Sequence, residues 1–156
     1  MSTPTADLGL AALDREVRLH LFRAAAATGE VPQPPEIARA LGRTESEVRA
    51  AVQRLAAGRV LITAPNSDNI WAANPFCAVP SGYRVHAAGR RYWGICAWDA
   101  LGVAAALGSD AVVSAPCADC GAPMRLEVEG GRLAQGEGVV HFAVPARRWW
   151  ENIGFT

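Results

Sequence analysis

The segment PPEIARALGRTESEVRAAVQRLAAGRVLITAPNSDNIWAA, from Pro34 to Ala73, constrains this chain more than any other. Its prolines can stand only in the first turn of a helix, and they open one running from Pro35 to Leu41. Gly42-Arg43 then breaks the pattern. Thr44 is followed three residues later by Glu47, a capping box that starts a second helix whose apolar stripe ends at Leu55. Gly58 permits a stop, RVLITA reads as a strand, Asn66-Ser67-Asp68-Asn69 as its turn and IWAA as the returning strand. Upstream, Leu10, Leu13, Val17, Leu19, Leu21 and Phe22 recur at roughly helical spacing from Asp7 to Ala27, and Thr28-Gly29 closes that helix. VPQPP between them is a short extended connection.

Helix, turn, helix and hairpin make a winged helix-turn-helix pattern. Such a unit reads DNA through its second helix or packs on the rest of its own chain. Fifteen Lys and Arg balance fifteen Asp and Glu, so no long-range field draws a polyanion, and Glu45 and Glu47 stand at the front of the would-be reading helix. The only basic patch is a modest one, around Arg39, Arg43, Arg49 and Arg54. Packing is therefore the preferred reading, with no nucleic-acid partner expected.

A second unit begins at NPFCAVPSGYRVHAAGRRYWGIC. YRVHA reads as a strand, AAGRR as a turn and RYWGI as a second strand or the lead-in to a helix. CAWDALGVAAALG is apolar on nearly every side, with Gly108 as its stop, which predicts a buried helix. AVVSAP, MRLEVEG and GVVHFAVP alternate as three strands of a largely antiparallel sheet, and a short helix is expected from Arg148 to Asn152. The expected fold class is α+β: a winged-helix-like unit over residues 1–74, packed on an antiparallel-sheet core with a buried helix over residues 75–156. The N-terminus lacks a basic stretch followed by an apolar one, and Asp99 and Asp110 interrupt the longest apolar window, so a cytoplasmic protein with no membrane span is expected.

Four cysteines, Cys77, Cys96, Cys117 and Cys120, then read as thiols or metal ligands rather than a disulfide framework. In YWGICAWDALG, Cys96 and Asp99 fall one turn apart on one helical face. A thiol at a helix N-terminus is expected to have its pKa lowered by the free N–H groups, and an aspartate in apolar surroundings to keep a proton. The competing reading is a buried structural cysteine beside a capping or salt-bridged aspartate. Cys117-Ala118-Asp119-Cys120 offers half of a zinc site, a redox dithiol, or a packing or turn role. A full structural zinc site is not expected, since Cys77, Cys96, His86 and His141 are the only further ligands and none is paired. His141 reads as an ordinary strand residue, Trp149-Trp150 as an aromatic lid or as core, with core preferred, and Arg147 and Arg148 as a solvated edge or carboxylate partners.

Taken together, RRYWGICAWDALGVAAALGSDAVVSAPCADCGAP, with NPFCAVPSGYRV and the helix-turn-helix unit before it, resembles the organomercurial (alkylmercury) lyase family, most strongly from Tyr83 to Val128. The resemblance implies protonolysis of a carbon–mercury bond, giving a hydrocarbon and Hg(II). By it, Cys96 and Asp99 are the catalytic pair that meets the substrate's mercury, while Cys117 corresponds to a cysteine treated as structural. It implies no built-in cofactor. The implied partners are organomercury compounds, small thiols and a mercuric reductase that accepts Hg(II). The family's second catalytic cysteine lies shortly after the segment that ARRWWENIGFT resembles. The expectation is that Cys77 or Cys120 replaces it, that a cysteine or selenocysteine follows Thr156, or that the chain is a remnant that only binds mercury. The rival class is a metal- or thiol-responsive DNA-binding regulator.

Overall fold

The computed structural model describes residues 11–153. The expected start of the first helix, Asp7 to Leu10, and the last three residues of ARRWWENIGFT lie outside them. Helix α1 spans Ala12–Thr28 and buries Asp14, Val17, Leu21 and Ala25, a stripe at spacings of three and four. Leu19 does not belong to that stripe. It sits two residues from both Val17 and Leu21, hence on the opposite side, and is 43% exposed. Asp14 is buried with its carboxylate held by the forked Arg54 guanidinium, at 2.6 to 3.1 Å.

Helix α2 covers Pro34–Leu41, one residue longer at its front than expected, because both prolines fit its first turn. Its cap, Gln33, also accepts from the Ile70 N–H at 2.9 Å and donates to the Ile70 carbonyl at 3.0 Å, so a side chain completes the edge of the neighbouring strand. Helix α3, Glu45–Ala57, starts with the expected capping box: the Glu47 N–H donates to Thr44 Oγ1 and the Thr44 N–H to Glu47 Oε2.

Strands β1 (Ile62–Thr63) and β2 (Ile70–Ala73) form the expected hairpin. A third strand, β3 (Phe76–Cys77), joins β2 and was not expected from sequence. It pairs through Ala72↔Cys77 and Ala73↔Phe76.

The larger sheet is antiparallel throughout, in the order β5-β4-β6-β7-β8. Its strands are β4 (Tyr83–Ala87), β5 (Arg90–Gly94), β6 (Ala111–Pro116), β7 (Pro123–Glu129) and β8 (Arg132–Gln135). Opposite partners Val85↔Tyr92, Val85↔Val113 and Ala111↔Val128 put one apolar face against the core. Helix α4, Ala97–Leu107, packs on β4 and β5. It is not buried all round. Asp99, Ala100, Val103 and Ala104 face inward, while Trp98 is 58% exposed.

GVVHFAVP does not form a strand. Gly130 and Gly131, both at positive φ, close a tight hairpin that returns Arg132–Gln135 onto β7, so the edge position goes to β8. Residues 138–145 run outside the sheet, and Val139 is 90% exposed. The expected terminal helix is a 3-10 turn, Ala146–Glu151.

The protein is thus α+β, with helices and two antiparallel sheets sharing one apolar core. Val17, Leu21, Ile37, Val48 and Leu55 of the helices join Phe76, Tyr92, Val103 and Val113 in a single cluster. Two contacts fasten α1 to β5. The Tyr92 hydroxyl donates to the Ala26 carbonyl at 2.8 Å, satisfying one of the carbonyls left free at the helix end. Gly29, at φ +84°, lies so near Arg91 that a Cβ there would come within 2.3 Å of its carbonyl oxygen.

Candidate active site

Strand β5 runs straight into the first turn of α4, and the reactive pair lies at that junction. Gly94 makes the turn tight: a Cβ at this position would stand 2.7 Å from the Ala100 nitrogen and 3.1 Å from the Cys96 carbonyl oxygen. Ser81 fixes the end of the strand, its Oγ donating to the Gly94 carbonyl at 2.6 Å. Cys96 then occupies the N-cap position in extended conformation, and its carbonyl accepts from the Ala100 N–H at 3.0 Å.

This places Cys96 Sγ 3.7 Å from Asp99 Oδ2, within reach for a thiol donating to a carboxylate. Cys96 is half-buried and Asp99 only 7% exposed. Burial pushes the Asp99 carboxyl above the usual aspartate range, against the lowering effect of the hydrogen bonds from the Cys96 thiol and the Ile95 N–H. The sequence expectation for Asp99 agrees in direction.

For Cys96 it does not. The backbone N–H groups of Asp99 and Trp98 favour its thiolate, but burial, with help from the neighbouring Asp99 carboxylate, outweighs them and raises the thiol pKa. A helix N-terminus lowers a cysteine pKa only where the sulfur is not also desolvated beside an anion. The free site therefore holds a protonated thiol hydrogen-bonded to a buried carboxyl group.

Cys96, Asp99, Trp98 and Ile95 line a cavity of about 300 Å³, closed on its other sides by Asn74, Pro75, Gly102, Phe142, Trp149 and Ile153. Trp98 meets Phe142 edge-on at 6.0 Å, and Phe142 lies 4.8 Å from Trp149. Trp149 is thus part of an aromatic wall at the site, nearer the lid alternative than the preferred core reading; its Nε1 donates to the Val144 carbonyl at 3.0 Å. Trp150 lies half-exposed under the Arg59 guanidinium, and Arg148 pairs with Glu151. Sequence reasoning did not find Pro75, Gly102 or Phe142 as site residues. Phe142 was assigned to a strand, and only the aromatic content of HFAVPARRWW hints at its place.

The other cysteines are distributed unevenly. Cys77, on β3, is buried, donates toward the Trp71 carbonyl, and lies close enough to Asp99 for that charge to help raise its pKa; burial is the larger cause. Cys117 and Cys120 sit on the turn between β6 and β7, half-exposed and exposed. Cys117 and Cys96 both line a larger cavity of about 1010 Å³ between α4, the apolar face of the large sheet and residues 138–143. His141 is an exposed residue at its rim. Among the described residues no helix is long and apolar enough to cross a membrane.

A family model described as MerB, alkylmercury lyase, matches residues 76–156, which includes β3, both members of the reactive pair and the cysteine turn. No curated protein sequence matches the chain. Among solved structures, the mercury-bound form of MerB2 superimposes with a TM-score of 0.64 at 22% identity, over 81% of this chain and 61% of that one. The chain thus spans about three-fifths of that protein's length and shares its fold. With a family model covering more than half of its residues, this chain belongs to the alkylmercury lyase family.

Proposed function

We propose that the chain acts on organomercurials by protonolysis, with Cys96 binding the metal and Asp99 moving the proton. The observation that carries this reading is the 3.7 Å contact between Cys96 Sγ and Asp99 Oδ2 at the wall of a mainly apolar cavity. A thiolate is the ligand a soft metal prefers. When mercury of an R–Hg group bonds to Cys96 sulfur, the thiol proton must leave, and the adjacent carboxylate is placed to take it. Asp99, whose burial favours the neutral acid, then delivers that proton to the carbon bound to mercury. The carbon–mercury bond breaks, the hydrocarbon R–H departs, and mercury remains on Cys96 as Hg(II) with one coordination position for another thiolate. Asp99 is again a carboxylate, so charge and protons balance.

A small thiol supplies that second thiolate in solution and carries Hg(II) away, to be consumed by an enzyme of the mercuric reductase type. Free reduced thiols suit a cytoplasmic setting. The rival reading as a DNA-binding regulator has less support: of the arginines in the basic patch, Arg43 pairs with Glu16, Arg49 with Glu45 and Arg54 with Asp14, which removes most of its field.

The test is release of benzene from phenylmercury, or methane from methylmercury, with excess monothiol, detected by mass spectrometry. Cys96→Ser should abolish release. Asp99→Ala should remove turnover while leaving measurable mercury binding. Release that persists in Cys96→Ser would overturn the assignment.

A further inference from the structure

We propose that Cys117 and Cys120 form a dithiol that chelates Hg(II) and takes it over from Cys96 across the cavity that Cys117 shares with it. The relay depends on the lyase reading above; the chelation does not. Strand β6 ends at Pro116 and β7 begins at Pro123, and the turn between them is closed by the Cys117 N–H on the Ala122 carbonyl at 2.7 Å and the Gly121 N–H on the Cys117 carbonyl at 2.9 Å. That closure turns the chain back within four residues and sets both free thiols on one small loop, with the Cys120 side chain facing the Cys117 sulfur. The backbone N–H groups of Cys120 and Asp119 also face that sulfur.

Two features select the ion. Among the described residues no group of three or more histidine, cysteine, aspartate or glutamate side chains gathers here, so a four-coordinate zinc site is not built. Two thiolates alone satisfy a soft ion that prefers two collinear ligands, as Hg(II) does. The same preference separates product from substrate. In R–Hg⁺ carbon already occupies one position, so only one of the two thiols can engage it. Once carbon has left as R–H, both positions accept sulfur and the dithiol gains its chelate advantage.

The path runs inside the fold, because Cys96 and Cys117 line the same cavity of about 1010 Å³. The exchange balances without a redox step. Cys96–S–Hg–SR, with SR a small thiolate, reacts with the Cys117 thiolate and the Cys120 thiol to give Cys117–S–Hg–S–Cys120, Cys96–SH and RS⁻. The Cys120 proton ends on Cys96, which is returned to its starting state.

Chelation is read on the full chain carrying Cys96→Ser, using inorganic Hg(II) and, separately, methylmercury, each presented with excess 2-mercaptoethanol. Native mass spectrometry and the near-ultraviolet thiolate–mercury absorption report binding. One Hg(II) should be retained, and adding Cys120→Ser should weaken retention by about 100-fold or more, the usual gain from tethering two ligands. Methylmercury should be held no better by the dithiol than by the single thiol. Retention unaffected by Cys120→Ser, no retention in Cys96→Ser, or equal preference for methylmercury would overturn the proposal. Should the double variant fail to fold, iodoacetamide footprinting of the native chain decides: one equivalent of Hg(II) must protect both Cys117 and Cys120.

The relay is read by the same footprint after one turnover of phenylmercury. Protection of Cys117 and Cys120 with Cys96 free supports it, and protection of Cys96 alone overturns it. If no benzene forms, the lyase reading falls and the relay with it, whereas the Hg(II) titration still decides the chelate.

Discussion

Replacing Asp99 by asparagine should stabilise the protein at neutral pH while stopping carbon–mercury cleavage. Asp99 is 7% exposed, and its acceptors meet one thiol and one backbone N–H. It forms no ion pair among the described residues. Its pKa is raised in the folded state, chiefly by burial, so between the unfolded and folded values the native protein holds more protons than the unfolded chain. Stability must then fall as pH rises from the unfolded value, about 3.9, and the full penalty is present once pH passes the folded value. A buried carboxylate with only these partners should carry a penalty of roughly 1–3 kcal/mol at pH 7. Asparagine keeps the shape and the acceptor for the Cys96 thiol without the charge. Urea unfolding of both proteins at pH 7 and near pH 4 measures the difference: the variant should be the more stable at pH 7, with the gap closing in acid. A variant that is less stable at pH 7, or a gap independent of pH, would show that Asp99 is not held against its charge.

Further consequences can be checked with single substitutions or labels. Gly94→Ala should destabilise by about 1–3 kcal/mol in a thermal melt, and should reduce cleavage further than stability explains, because the clash is with the backbone of the first turn of α4. Tyr92→Phe removes the hydroxyl that satisfies the Ala26 carbonyl and should cost about 1–2 kcal/mol of unfolding free energy. Timed iodoacetamide labelling at pH 7 should modify Cys117 first, since its pKa is lowered, and Cys96 and Cys77 slowly, since burial raises theirs. Labelling of Cys96 ahead of Cys117 would contradict that order.

What could be read from the sequence was whatever is encoded within a few residues. Thr44 with Glu47 fixes the start of α3 because both halves of the capping box are local. YRVHA and RYWGI pair as expected because a single turn joins them, and Cys96 meets Asp99 because helical spacing alone puts them together. What escaped depends on distant partners. GVVHFAVP alternates like a strand, yet the sheet edge had already been claimed by β8 through the Gly130-Gly131 turn. Trp149 reads as core by composition, and only the tertiary fold sets it beside Phe142. The direction of the Cys96 pKa shift turned on burial, a quantity spacing does not contain.

The close passage of Gly29 against Arg91 bears on how the protein can be dissected. Backbone touches backbone there with no side chain between, and three residues further along, at Gly94, β5 passes into the turn that carries Cys96. A fragment trimmed to the family-matched region would lose α1 and uncover Phe76 and Tyr92, both nearly inaccessible in the whole chain. It would also free the strand that aims the thiol. Expression trials built on such a fragment should give sticky, poorly folded material, and loss of activity in it would say nothing about whether the helices touch substrate.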